Sequence, residues 1–166
     1  MAIDFLHRLT MFMALLVAQV LILNHVHLLG VATPMLYIYF AITFRRNFPR
    51  WITLLSSFFL GLMVDIFSST PGLAAGSMTF IAFLQPFLLE RMAPRDSAED
   101  MKVSIATMGL SRFSFMSAVL TLIYCLLFFS LEFFSFFDWL LWFGCFLGSA
   151  ALTWILMMAI ESVRSR

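Results

Sequence analysis

The stretch GLMVDIFSSTPG, residues 61–72, places Asp65 near the end of an apolar run, just before a turn of serines, threonine, proline and glycine. A carboxylate in that position has four possible uses: catalysis, ligand binding, contact with a partner, or an interfacial role that marks where a span reaches water, with a hydrogen bond to the backbone of the turn. Intramembrane aspartyl chemistry needs two facing aspartates that share a proton. The other aspartate near a span, Asp138, lies at a boundary. Serine chemistry needs a serine activated by a histidine. Ser77 in LAAGSMTF and His25 or His27 in NHVH are the available pair, but Ala75 stands where a G-x-S motif has glycine, and both histidines belong to a turn.

His25 and His27 are two residues apart and point away from each other on a helix, so a metal pair would need an extended turn and further ligands. Cys125 and Cys145 lie inside apolar runs and read as small buried hydrophobes. There is one lysine, and the sequence contains no H-E-x-x-H, P-loop or dinucleotide glycine motif. These residues predict no catalytic group, no cofactor and no metal.

The elements that carry these residues follow from composition. The chain has 166 residues, of which 63% are hydrophobic and 11% charged. A soluble domain is about half apolar and a quarter charged, so the excess belongs in lipid and predicts an all-α integral membrane protein. Measured against the roughly 20 residues that cross a bilayer, the apolar runs give six spans, at about 5–23, 28–44, 51–67, 73–89, 113–131 and 139–160. The first is long, lacks a small-x-small cleavage site and leads straight into further spans, so it reads as an uncleaved helix.

The ten Lys and Arg residues test that count. Arg8 opens span one. Arg45, Arg46 and Arg50 join spans two and three, Arg91, Arg95, Lys102 and Arg112 join spans four and five, and Arg164 and Arg166 follow span six. The other three connections, NHVH, SSTPG and EFFSFFD, carry no Lys or Arg. The positive-inside rule then predicts cytoplasmic N- and C-termini. The long loop ERMAPRDSAEDMKVSIATMGLSR reads as a solvated connection leading into an amphipathic turn, or as a docking site for a cytoplasmic partner.

Within this frame Asp65 lies about 20 Å above Trp51 along a helix, close to the outer boundary, where a carboxylate costs little. Ala14-x-x-x-Ala18, Gly72-x-x-x-Gly76 and Gly144-x-x-x-Gly148 each put small side chains one helical turn apart, the spacing that lets helices approach closely in lipid. Gln19 and Gln85 sit inside spans, where an unpaired amide is costly, and are expected to hydrogen-bond between helices.

The stretch FFLGLMVDIFSSTPGLAAGSMTFIAFLQPFL resembles the MreD family of rod-shape-determining membrane proteins. It has the family's glycine, apolar residues, aspartate, Pro/Gly-containing turn and small-residue-rich next helix. NHVHLLGVATPMLYIYFAITF looks like the family's versions from Bacteroides-type bacteria. One departure is that Pro71 and Gly72 are adjacent, where many relatives separate them by an apolar residue. The resemblance implies a non-enzymatic adaptor in the bacterial inner membrane that binds the single-span protein MreC. Through it the adaptor would join MreB filaments and the RodA glycosyltransferase with its transpeptidase partner, with no nucleic-acid partner.

The resemblance further implies a compact six-helix bundle similar to the substrate-binding subunits of energy-coupling-factor vitamin transporters. Gly61, Asp65, Pro71 and Gly72 match the motif, with Gly76 in the helix that follows, and would shape the outer end of spans three and four. The alternative expectation is a vitamin-like binding subunit of such a transporter. Ala14-x-x-x-Ala18 would then dock on the coupling partner, and Asn24, His25, Asp65, Ser68, Ser69 and Thr70 would line a pocket.

Overall fold

The computed structural model describes residues 2–25, 33–95, 100–132 and 139–165. Helix α1 (Ala2–Val17) runs on through a π turn (Ala18–Ile22) and a 3₁₀ turn (Leu23–His25). It is followed by α2 (Ile38–Ile42), α3 (Arg50–Ser68), α4 (Leu73–Met92), α5 (Ile105–Met108), α6 (Leu110–Glu132) and α7 (Trp139–Arg164). No strand occurs among the described residues. Four helices, α3, α4, α6 and α7, are long and apolar enough to cross a membrane, and Leu6–Ile22 forms a shorter apolar helix. The chain is therefore a helical membrane protein. Large side chains such as Phe83, Phe115, Leu140 and Ile155 point outward, as lipid-facing residues do.

The expected second span takes an unusual form over its described part. Residues 33–35 carry no regular secondary structure, α2 is only five residues long, and every residue from Pro34 to Phe44 is buried. The chain here is the axis of the bundle, wrapped by the longer helices. Non-helical backbone at membrane depth is tolerated only where protein or an aqueous cavity surrounds it, because lipid offers no hydrogen bonds.

The surrounding helices supply those bonds from their side chains. Gln19 donates to the Pro34 carbonyl at 3.0 Å and accepts from the Leu36 N–H at 3.1 Å. Ser149 Oγ accepts from the Thr33 N–H, and Thr153 Oγ1 accepts from the Met35 N–H at 3.0 Å. At the other end Gln85 Nε2 donates to the carbonyls of Ile42 and Phe44, at 3.2 and 3.1 Å. Arg8 donates to the Thr43 carbonyl at 3.0 Å. Both in-span glutamines thus bond the axial backbone, as their cost in lipid requires.

Aromatic packing completes the axis. Tyr37 and Tyr124 meet edge to face with centroids 5.8 Å apart, and their buried hydroxyls share a hydrogen bond. Phe40 packs likewise on Phe12 of α1 at 5.7 Å. Edge-to-face pairs place the positive ring edge against the negative face, which gives the axial segment a fixed rotation among its neighbours.

The basic end of the bundle is closed by chain from the long loop. Met101, Val103 and Met108 are buried, and the Arg46 N–H donates to the Met101 carbonyl at 3.3 Å. Ser104 and Thr107 form a reciprocal cap on α5. Residues 100–108 therefore plug the bundle with their apolar side, while Asp100, Lys102 and Thr107 stay exposed, which is the form of an amphipathic turn. Asp96 and Glu99 of the same loop, like His27 and Asp138 elsewhere, lie outside the described residues.

Candidate functional site

Helix α3 starts after Pro49 and ends where Ser69 adopts a left-handed conformation, with φ 58°. Its last turn carries Asp65, which is 3% exposed and so removed from water and lipid alike. The chain then turns through Pro71 and Gly72, whose φ of 83° favours glycine. Gly72 is the N-cap of α4 and has no side chain to offer its first N–H groups.

Asp65 supplies what Gly72 lacks. Its Oδ1 accepts from the Ala74 N–H at 2.8 Å and from the Thr70 hydroxyl at 2.9 Å. Its Oδ2 accepts from the Ala75 N–H at 2.9 Å. The carboxylate of one helix thus caps the next, and its negative charge lies at the positive end of the α4 dipole. The Ser69 and Thr70 N–H groups both donate to the Asp65 carbonyl, binding the turn to the same residue.

Gly61 lies one turn earlier on α3 and makes the cap reachable. A Cβ there would come within 2.6 Å of Ala75 Cα and 2.7 Å of the Ala74 carbonyl oxygen. The missing side chain lets α4 approach until Asp65 touches Ala74 and Ala75. Two motif residues therefore act on the same two alanines.

The other small residues lie differently. A Cβ at Gly76 would meet nothing within 4 Å, and Gly76, Ala14 and Gly144 are exposed, with Ala18 and Gly148 half-buried. These faces point away from the bundle interior. Ser77 is buried with its hydroxyl unpartnered, and His25 is exposed in the 3₁₀ turn after α1, so no hydrogen bond joins the two. Cys125 and Cys145 are separate buried thiols.

Beside the Asp65 turn a cavity of about 580 Å³ opens, bordered by His25, Thr33, Tyr37, Thr70 and Glu132 among others. It reaches the non-helical stretch of the axial segment at Thr33 and Met35. At the opposite end the basic residues gather. Arg45 lies 3.8 Å from Asp100 and also pairs with Asp4, while Arg50 sits 5.5 Å from the Phe87 ring centroid. Arg91, Arg95 and Arg112 border one cleft.

Sequence reasoning missed a polar row on α7. Ser149, Thr153 and Glu161 share one face at helical spacing and all are fully buried. Glu161 accepts from the Tyr39 hydroxyl and from the Ile105 N–H at 3.2 Å, so it ties the axial segment to the plug. The signal was available: polar residues separated by four and eight positions inside an apolar helix mark an interior face. Comparison with known protein families, with characterised proteins and with solved structures yields no match.

Proposed function

We propose that the chain is a non-enzymatic adaptor of bacterial cell-wall elongation, a six-span inner-membrane protein with both termini in the cytoplasm. Its principal partner would be MreC, and through it MreB, RodA and the RodA-associated transpeptidase. The observation that carries this reading is where the polar and small residues go. Asp65, Gln19, Gln85, Ser149, Thr153 and Glu161 are all engaged in holding the protein's own backbone. Ala14, Gly76 and Gly144 face outward, where close approach by another helix is unobstructed.

In this reading the interior is a rigid scaffold and the outer faces bind. Sequence resemblance supplies the biological setting, and the gathering of arginines at the end opposite Asp65 supports the orientation. The test is co-purification with MreC in mild detergent, together with cell shape on depletion. Loss of rod shape with recovery of MreC in the complex supports the adaptor. Normal shape with no recovery of MreC contradicts it.

A second reading, a vitamin-like binding subunit of an energy-coupling-factor transporter, is favoured by the cavity of about 580 Å³. Its lining combines apolar surface with hydroxyls, an imidazole and a carboxylate, as small-molecule sites do. Native mass spectrometry that finds a bound small molecule, absent when Glu132 or Thr33 is replaced, would promote this reading over the first.

A further inference from the structure

The arginines at the basic end are not alike. Arg45 is paired with Asp4 and Asp100, Arg164 with Tyr39 and Glu161, and Arg8 lies 4.2 Å from the Phe44 ring centroid while bonding the Thr43 carbonyl. Arg91, Arg95 and Arg112 make no hydrogen bond or ion pair with any described residue. Yet the three border a single cleft of about 550 Å³. Arg91 comes from the last turn of α4, Arg95 follows the break at Pro94, and Arg112 comes from the first turn of α6.

The three guanidinium groups are exposed and share one hollow, so a single anion there would lie among them all. Surface cations spread over a membrane-facing end need no such arrangement, because each is solvated separately. Convergence from two helix ends and the connection between them leaves a concave, multiply basic hollow with no carboxylate among the described residues to fill it. Planar guanidinium forks match phosphate oxygens two at a time. Met92 and Pro94 add apolar contact at the same cleft, suited to the carbon skeleton that carries a phosphate ester.

We propose that this cleft is a phosphate-binding site held by Arg91, Arg95 and Arg112. The phosphate is carried by an anionic phospholipid headgroup or by a soluble phosphate. The site does not depend on the adaptor reading, since it would serve any protein with this fold. A basic pocket between transmembrane helices is a recognised arrangement for anionic headgroups. The same chemistry would accept free phosphate if the cleft opens to solvent and not to the headgroup layer.

The experiment uses the full chain, delipidated in detergent. Native mass spectrometry follows binding of phosphatidylglycerol, of phosphatidylcholine and, separately, of inorganic phosphate. The variants are Arg91→Gln, Arg95→Gln and Arg112→Gln, singly and together, with Arg50→Gln as a control at the same end of the bundle. A thermal melt of each variant confirms folding, and Arg95→Gln, outside any helix, is the variant least able to disturb it. Each lost arginine should weaken binding about fivefold, the factor expected for one basic group near an anionic surface.

Preference for phosphatidylglycerol that falls stepwise in the cleft variants and survives in the control supports a lipid headgroup. Phosphate binding with the same arginine dependence, and no lipid preference, supports the site and assigns a soluble ligand. Binding that is absent, unchanged by the triple variant, or lost equally in the control overturns the proposal.

Discussion

Gly61 and Asp65 address the same two residues of α4, so their substitutions should not add. Gly61→Ala would place a methyl group 2.6 Å from Ala75 Cα, a backbone atom that cannot rotate away. Forced overpacking costs about 1–3 kcal/mol, and the overlap with main chain favours the upper end. Replacing a helical glycine returns about 0.5–1 kcal/mol, which leaves a net loss of about 2 kcal/mol by these two principles.

Asp65→Asn sets an amide N–H₂ against the N–H of Ala74 or Ala75 and leaves one buried donor unsatisfied. That costs about 1–3 kcal/mol, with about 0.3–1 kcal/mol more from the lost charge at the helix N-terminus. Simple addition would give a loss of about 3–6 kcal/mol, summing these terms. Once Gly61→Ala has pushed α4 away, however, Asp65 has already lost its alignment with both N–H groups. The double variant should therefore fall short of the sum by about 1–2 kcal/mol, within the range seen for residues that share partners.

The assay is reversible unfolding in mixed detergent micelles, followed by tryptophan fluorescence, for the wild type, both single variants and the double variant. Gly76→Ala is the control: its Cβ meets nothing within 4 Å, so it should be neutral or stabilising. A neutral Gly61→Ala, or full additivity of the two changes, would refute the shared-cap reasoning.

Three further outcomes follow from the axial segment and the turn. Gln19→Leu strips the bonds to Pro34 and Leu36 at once and should destabilise by about 2–4 kcal/mol, taking about 1–2 per unsatisfied buried group; the same unfolding assay reads it. Glu161→Leu leaves the Tyr39 hydroxyl and the Ile105 N–H without their acceptor. It should release the plug, so limited proteolysis should cut within residues 100–108 in the variant and spare them in the wild type. Gly72→Ala forces a side chain into φ 83° and should cost about 1–2 kcal/mol, although a Cβ there meets nothing within 4 Å. A stabilising Gly72→Ala would show that the turn adopts another conformation.

Composition and apolar run length revealed the class of protein, because the apolar excess has only lipid to go to, and they located α3, α4, α6 and α7 to within a few residues. The role of Asp65 was legible in outline, since a carboxylate ahead of a Pro/Gly turn has backbone donors nearby. That the donors are Ala74 and Ala75, past the turn and in the next helix, was not legible. It depends on how closely α4 approaches, and Gly61 sets that distance without naming its partner.

The axial segment was hidden for a different reason. Hydropathy measures burial and cannot distinguish lipid from protein surroundings, so residues 33–44 read as a spanning helix. The polar row on α7, Ser149, Thr153 and Glu161, was the available warning that an unsatisfied backbone lay opposite. The small-residue pairs show the limit of spacing alone: Gly72 and Gly76 look like a packing face, but the close contact is made by Gly61 with Ala74 and Ala75.

The adaptor reading rests on outward small-residue faces that receive another protein's helix. Photo-crosslinking amino acids placed at Ala14, Gly76 and Gly144, with Phe83 as a lipid-facing control, test this directly in cells that express MreC at native level. The account predicts a protein adduct containing MreC from at least one small-residue face and none from Phe83. Adducts with lipid alone from all four positions, while the variants still support rod shape, would contradict it.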